Sequence, residues 1–382
     1  LKKIYKINYK NIFLKKNIIQ SGSKIYVKQF LKYEQEKPSD VIEIHNRPNY
    51  FHIINTFKEK QKLVLYFHND PLTMTGSRSI ADRKKILDDA NKIIFNSHWS
   101  RKRFLEGIEG LHINSEKISV IYQSTKTQTV NINNKKNWIT FVGKLNRAKG
   151  YDLFGKAVLK ILKKYKDWEA IAIGNEPREK FNFKHPNFKI LDWVNHKKIL
   201  QYYNKSAISV VPSKWQEPFG RTAMESAAAG CATITSTKGG LPETFDNKLF
   251  INQVNESELF KMVNFLIKNK KIRLKHQQYN WKNVKHKLSE KIKKIDNLKN
   301  FYLNSNFNFN KGIKLKILHI STFDERNDHR LFNISIANKL SKGFIRNGHD
   351  TINFSYRNYL PKSPLVNASK LISSKINSVA DN

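Results

Sequence analysis

Residues 215–225 read WQEPFGRTAME, and this stretch decides how the chain is built. An apolar run, Ala207–Pro212, precedes it and another, Cys231–Ser236, follows it. Pro218 and Gly220 mark a turn, and the Ala-rich segment Thr222–Ala229 predicts a helix. Strand, turn, helix and strand in this order make a βαβ unit, which implies a parallel sheet. The two carboxylates fall on either side of the turn, Glu217 on the loop and Glu225 within the helix. A helix start offers unsatisfied N–H groups and the positive end of a dipole, which suits an anion. Taken alone, two glutamates at this spacing read first as solvated side chains on an ordinary helix start.

The same rhythm extends in both directions. Upstream, strands are expected at Val41–His45, Leu63–His68, Lys92–Asn96 and Ile118–Tyr122. A polar stretch, Thr125–Asn137, reads as an interdomain linker, and strands resume at Trp138–Gly143, Trp168–Gly174 and Phe188–Val194. In Tyr151–Lys166 the apolar side chains Leu153, Phe154, Ala157, Val158, Ile161 and Leu162 form one stripe of a 3.6-residue helix. Ser257–Lys268 repeats the pattern, and Lys282–Asn300 is a Lys-rich amphipathic segment. These readings divide the chain into an N-terminal domain over residues 1–130 and a second domain over 131–303.

A second linker is expected at 304–312, and the tail 313–382 then offers strand Lys314–Ile320, helix Phe332–Asn347 and strand Thr351–Tyr356. That is a single βαβ unit. The first domain, conversely, lacks an opening strand–Gly loop–helix unit, because residues 1–40 contain only Gly22. Two accounts compete. The favoured expectation makes the tail the partial start of a second domain of the same kind. In the other, the tail folds back and supplies the missing edge of the first sheet.

Composition narrows the classes. The chain has 382 residues, 39% of them hydrophobic, enough for two to three packed domains. One cysteine, Cys231, excludes an intramolecular disulfide and a Cys-based zinc cage. No apolar run approaches the ~20 residues needed to span a bilayer. The net charge is +39, from 70 Lys+Arg against 31 Asp+Glu. Such a balance points to an anionic partner, either nucleic acid or a membrane surface. The charge is spread along the chain and gathers into no single stripe, which favours an acidic lipid surface over nucleic acid.

Two further segments stand at strand ends, where open parallel sheets bind ligands. Phe141–Gly150, FVGKLNRAKG, places Lys144, Arg147 and Lys149 after a strand. The alternative is a solvated basic loop, and the segment lacks the Gly-x4-Gly-Lys-Ser/Thr of a P-loop. Ser236–Glu243, STKGGLPE, puts Gly239 and Gly240 in a tight turn whose N–H groups suit a sugar or phosphate, or simply connect strand to helix.

Together, from about Trp138 to Thr244, these segments resemble glycosyltransferase family 4, the group 1 glycosyltransferases. These are retaining enzymes of GT-B fold, with two Rossmann-like α/β domains whose parallel sheets face a cleft. The most specific part is Glu217-x7-Glu225 followed by Gly230-Cys231 and Gly239-Gly240-Leu241-Pro242-Glu243. The resemblance implies that Glu225 binds the nucleotide ribose and that Glu217 contacts the donor sugar. It places Phe219, Gly220 and Arg221 in the turn whose N–H groups meet the donor, and Lys149 on the diphosphate. Lys144 stands where the family usually carries Arg, which keeps the charge but loses the bidentate fork. His68, closing LVLYFH, resembles the N-domain histidine that faces the donor sugar, and His45 ends the preceding strand similarly. FNSHWS, Phe95–Ser100, reads as scaffold.

The expected function is retaining, metal-independent transfer of a sugar from a nucleotide diphosphate sugar to a glycan or lipid-linked acceptor. Bacterial surface polysaccharide or lipopolysaccharide synthesis is the implied setting. The nucleotide sugar is a co-substrate; no cofactor or metal ligand is expected. The expected location is cytoplasmic, peripheral at the inner face of the plasma membrane. The rival readings are a basic nucleic-acid-binding protein and a non-catalytic GT-B remnant.

Overall fold

The computed structural model describes residues 22–57, 61–110, 115–125, 129–246, 249–284, 293–294, 315–321, 340–345 and 349–355. Two six-stranded sheets, all of whose pairings are parallel, organise the chain.

The first sheet contains β1 (Val41–His45), β2 (Lys62–Phe67), β3 (Lys92–Phe95) and β4 (Ile118–Val120). Every residue of β1 is buried, and β2 is buried from Leu63 onward. Near-continuous apolar runs of this kind are what a parallel sheet covered on both faces requires. Helices α2 (Pro48–Asn55), α3 (Ile80–Asp89) and α4 (His98–Leu105) make the crossovers. Ahead of β1, α1 (Gly22–Glu36) packs Val27 and Phe30 into the same core. No helix was expected there, because the Lys- and Ile-rich composition hides its short stripe.

The second sheet contains β5 (Lys136–Val142), β6 (Glu169–Ile173), β7 (Phe188–Leu191), β8 (Ser206–Val211), β9 (Ala232–Ser236) and the two-residue β10 (Phe250–Ile251). Its helices are α5 (Tyr151–Lys164), α6 (His196–Lys205), α7 (Arg221–Ala228) and α8 (Glu256–Lys268). The stripe expected on α5 is its buried face, Leu153, Phe154, Ala157, Val158, Ile161 and Leu162. α5 is also tied to α8, where the Tyr165 hydroxyl donates to Asn264 at 2.8 Å and Lys160 pairs with Glu256 at 2.6 Å. A further helix over 270–284 docks through Gln277, which donates to the Ala207 carbonyl at 2.8 Å, and Asn280, which donates to Cys231 O at 3.0 Å. Most of the Lys282–Asn300 segment, the 304–312 linker and most of the Phe332–Asn347 helix lie outside the described residues.

The tail corrects the favoured expectation for 313–382. Strands β11 (Lys316–Ser321) and β12 (Asp350–Ser355) belong to the first sheet, whose order is β12-β11-β1-β2-β3-β4. β11 lies beside β1 in register, from Val41 opposite Ile317 to Ile44 opposite Ile320. Leu318 and Ile320 join the first hydrophobic core. The physical reason is the edge of β1. A fully buried strand cannot leave one row of N–H and C=O groups unpaired, and the apolar KILHIS run satisfies it. The tail strands therefore extend the first sheet.

Candidate functional site

The second sheet has strand order β10-β9-β8-β5-β6-β7. From β5 the chain proceeds through β6 and β7 on one side, then returns to β8 on the other. β5 and β8 are therefore neighbours whose following loops diverge, the switch point at which open α/β sheets bind ligands. Lys149 follows β5, and Glu217 follows β8. The topology alone brings these two sequence-predicted residues together.

The side chains complete the junction. The Lys149 ammonium donates to Glu217 Oε1, and Ser213 Oγ donates to the same oxygen at 2.9 Å. The two loops are also joined by backbone, because the N–H groups of Lys214 and Trp215 donate to the Ala148 carbonyl at 3.0 and 2.9 Å. Gly150 begins α5 with φ of 73°, and a Cβ there would lie 2.0 Å from Pro212 O. Only glycine permits that approach.

The third loop closes over the second. Gly240 N–H donates to Glu217 O at 2.6 Å. Gly239 has φ of +64°, and an added Cβ would stand 2.2 Å from Glu217 O and 2.6 Å from Glu217 N. Glu217, Gly239, Gly240 and Lys149 thus form one contiguous cluster. Gly220 is the N-terminal cap of α7, in the left-handed region at φ 100°. Phe219 is buried and stacks on Tyr122 with ring centroids 5.8 Å apart, so only its backbone belongs to the turn.

Glu225 is buried one turn into α7. Its Oε1 accepts from Arg221 Nη2 at 2.8 Å and lies 3.1 Å from His196 Nε2. Burial works to raise this carboxyl, but the hydrogen bonds and charges of His196 and Arg221 outweigh it and hold the group below the ordinary carboxylate value. Arg221 itself is buried against Glu225, so its side chain serves the helix and only its backbone serves the turn. Lys144 is exposed on the β5–α5 loop. Nearby, Glu176 is held down to about 2, chiefly by its hydrogen bond from Arg178 and in smaller part by the charge of Lys144.

His68 is anchored in the first domain. Its Nε2 lies 3.1 Å from His45 Nδ1, and its Nδ1 is buried, so both nitrogens face the interior. His45 stacks on Tyr66 and lies against His319, and Tyr66 donates to buried Glu43 at 3.0 Å. Burial lowers His45 to about 3 and, with the charges of His45 and His68, lowers His319 well below its ordinary value. His68 stands half-buried at the end of β2, its ring stacked on that of His45 with centroids 5.4 Å apart. Two participants were not anticipated, Ser213 and His196. His196 carries no local signal, since it acts on Glu225, 29 residues away, whereas Ser213 stands only 4 residues before Glu217. Among the described residues, no cluster of three or more His, Cys, Asp or Glu side chains is arranged to hold a metal ion.

Residues 123–283 match the family model described as glycosyl transferases group 1. Spore coat protein SA of Bacillus subtilis (strain 168) is 32% identical over 124 residues, which cover 29% of this chain and 33% of that protein. The chain thus spans a third of that relative's length. The lipopolysaccharide 1,2-N-acetylglucosaminetransferase of Salmonella typhimurium is 22% identical over 290 residues, 66% of this chain and 72% of that protein. Among solved structures, Anabaena HepE in complex with UDP and glucose superposes with a TM-score of 0.56 at 16% identity, covering 74% of this chain and 84% of that one. The fold is GT-B, two Rossmann-like domains with parallel sheets.

Proposed function

We propose that the chain is a glycosyltransferase that moves a sugar from a nucleotide diphosphate sugar to a glycan or lipid-linked acceptor, with retention and without a metal. The observation that carries this reading is the Lys149–Glu217–Gly240 junction at the switch point, inside the segment that matches the group 1 family. The bond between the anomeric carbon and the diphosphate oxygen breaks, and negative charge grows on the leaving group. Lys149, Lys144 and the N–H groups at the start of α7 meet that charge, which favours the transition state over the ground state. The acceptor hydroxyl attacks the anomeric carbon from the same face, and its proton passes to a diphosphate oxygen. The products are the glycoside and the nucleoside diphosphate. Glu217 orients the sugar hydroxyls, Glu225 the ribose hydroxyls, and His68 faces the sugar from the first domain.

The names of similar proteins support a setting in surface polysaccharide or lipopolysaccharide synthesis; the net charge of +39 supports a basic surface resting on an anionic membrane at its cytoplasmic face. Among the described residues, no helix is long and apolar enough to cross a membrane. Titration calorimetry with UDP and GDP, followed by a sugar-transfer assay, tests the reading. The wild type should bind one of the two nucleotides. Lys149→Ala and Glu225→Gln should each weaken binding by about 1.5–3 kcal/mol, the worth of a hydrogen bond to a charged group. Nucleotide affinity indifferent to both substitutions would reject the assigned roles.

A further inference from the structure

The two domains meet at the first turn of α4. This helix has no acidic residue in its first turn, and the side chain of its N-terminal cap, Ser97, accepts from Ser100 N–H at 3.0 Å. The next two backbone donors, His98 and Trp99 N–H, are taken by the Glu243 carboxylate of the second domain at 2.6 and 2.7 Å. Tyr122 donates its hydroxyl to the same carboxylate at 3.2 Å. A helix that lacks its own first-turn anion therefore receives one from the other domain, where it meets both the orphan N–H groups and the positive dipole end.

The neighbouring contacts run to the donor loops themselves. Ser97 Oγ donates to Pro218 O at 2.6 Å. A Cβ at Gly240 would stand 2.5 Å from Pro218 O and 3.0 Å from Ser97 Cβ, so this contact has no slack. Gly240 in turn donates to Glu217 O at 2.6 Å. A continuous path of hydrogen bonds and close packing leads from the α4 terminus, through Glu243 and Gly240, to the backbone of Glu217.

We infer that Glu243 is a positioning residue that clasps the two domains together and sets the donor loops only when the clasp is formed. This rests on the reading that the loops around Glu217 and Gly240 receive the nucleotide diphosphate sugar. Domain closure and donor affinity are then coupled, and by linkage each strengthens the other.

The test separates the clasp from the function. Spin labels are placed on cysteines introduced by Lys85→Cys in α3 and Lys163→Cys in α5, both exposed, while native Cys231 is buried. Interdomain distances are measured by double electron–electron resonance, with and without UDP and, separately, GDP. The wild type should give one narrow distribution. Glu243→Gln and Ser97→Ala should each broaden it toward longer distances, and Glu243→Asp should recover part of the loss. In the Glu243→Gln protein, affinity for the nucleotide that binds should fall about tenfold, as expected for a charge-assisted contact to a helix terminus. Thermal unfolding midpoints near that of the wild type confirm that each variant is folded; if Glu243→Gln does not fold, Ser97→Ala decides. An unchanged distance distribution overturns the clasp, whatever happens to affinity. If the wild type binds neither nucleotide while Glu243→Gln still opens the domains, the functional reading fails and the clasp stands.

Discussion

The buried pair Arg221–Glu225 yields the most quantitative expectation. Their side chains are 7% and 6% exposed and share a 2.8 Å hydrogen bond within one turn of α7. Glu225→Met would leave the buried guanidinium without this carboxylate, a change that costs about 3–5 kcal/mol when a buried pair is broken. Arg221→Met should cost less, about 1.5–3 kcal/mol, because one charge-assisted hydrogen bond is lost while His196 stays 3.1 Å from the carboxylate. The double variant replaces both charges with apolar volume and should cost no more than Glu225→Met alone. The non-additivity, about 1.5–3 kcal/mol, is the interaction energy of the pair. Five of the six tryptophans, Trp138, Trp168, Trp193, Trp215 and Trp281, lie in the second domain, so urea unfolding followed by fluorescence reports on the right unit. Costs that add to within about 0.5 kcal/mol would show that the two side chains do not act as a pair.

Two other outcomes are expected. His45 and His319 are neutral in the folded protein because burial lowers both, His45 to about 3. Below pH ~6.5 the unfolded chain takes up protons that the native state refuses. The first domain should therefore lose up to ~1.4 kcal/mol per pH unit from His45 as pH falls toward 3, and His319 adds a loss in the same direction. Hydrogen exchange across β1 measured between pH 7.5 and 5, corrected for intrinsic rates, checks this, and pH-independent protection would contradict it. Leu318→Ala removes a side chain only 1% exposed in the first core and should lower the stability of β1 and β2 by about 2–5 kcal/mol. A variant that loosens the tail alone, leaving protection in β1 and β2 intact, would contradict the shared core.

The second domain was legible wherever a local pattern decides the outcome. The α5 stripe, the buried strand runs and the turns at Gly220 and Gly239 each follow from residues within one turn or one strand. The placing of Lys149, Glu217 and Gly239 after strands followed too, whereas the strand order that makes β5 and β8 neighbours did not. What stayed hidden is set by partners far away in sequence. KILHIS announces a strand, yet nothing in it says which edge it will cover. FNSHWS announces a helix start through Ser97 and Ser100, but the carboxylate that completes it arrives from residue 243. Likewise the histidine at the end of β2 reads as a candidate contact, and only packing against His45 reveals where its nitrogens point.

The seating of β11 between β12 and β1 has a consequence for how the molecule is made. Ile317 must find Val41 across an entire intervening domain. On the ribosome, the strands from Val41 to Val120 emerge long before their neighbour exists, and the second domain can consolidate while they wait. Closing so long a loop early is entropically unfavourable, so the first sheet is expected to be the last part to acquire its native order. During that interval the flank of β1 is a place for chaperones to bind and for aggregation to begin.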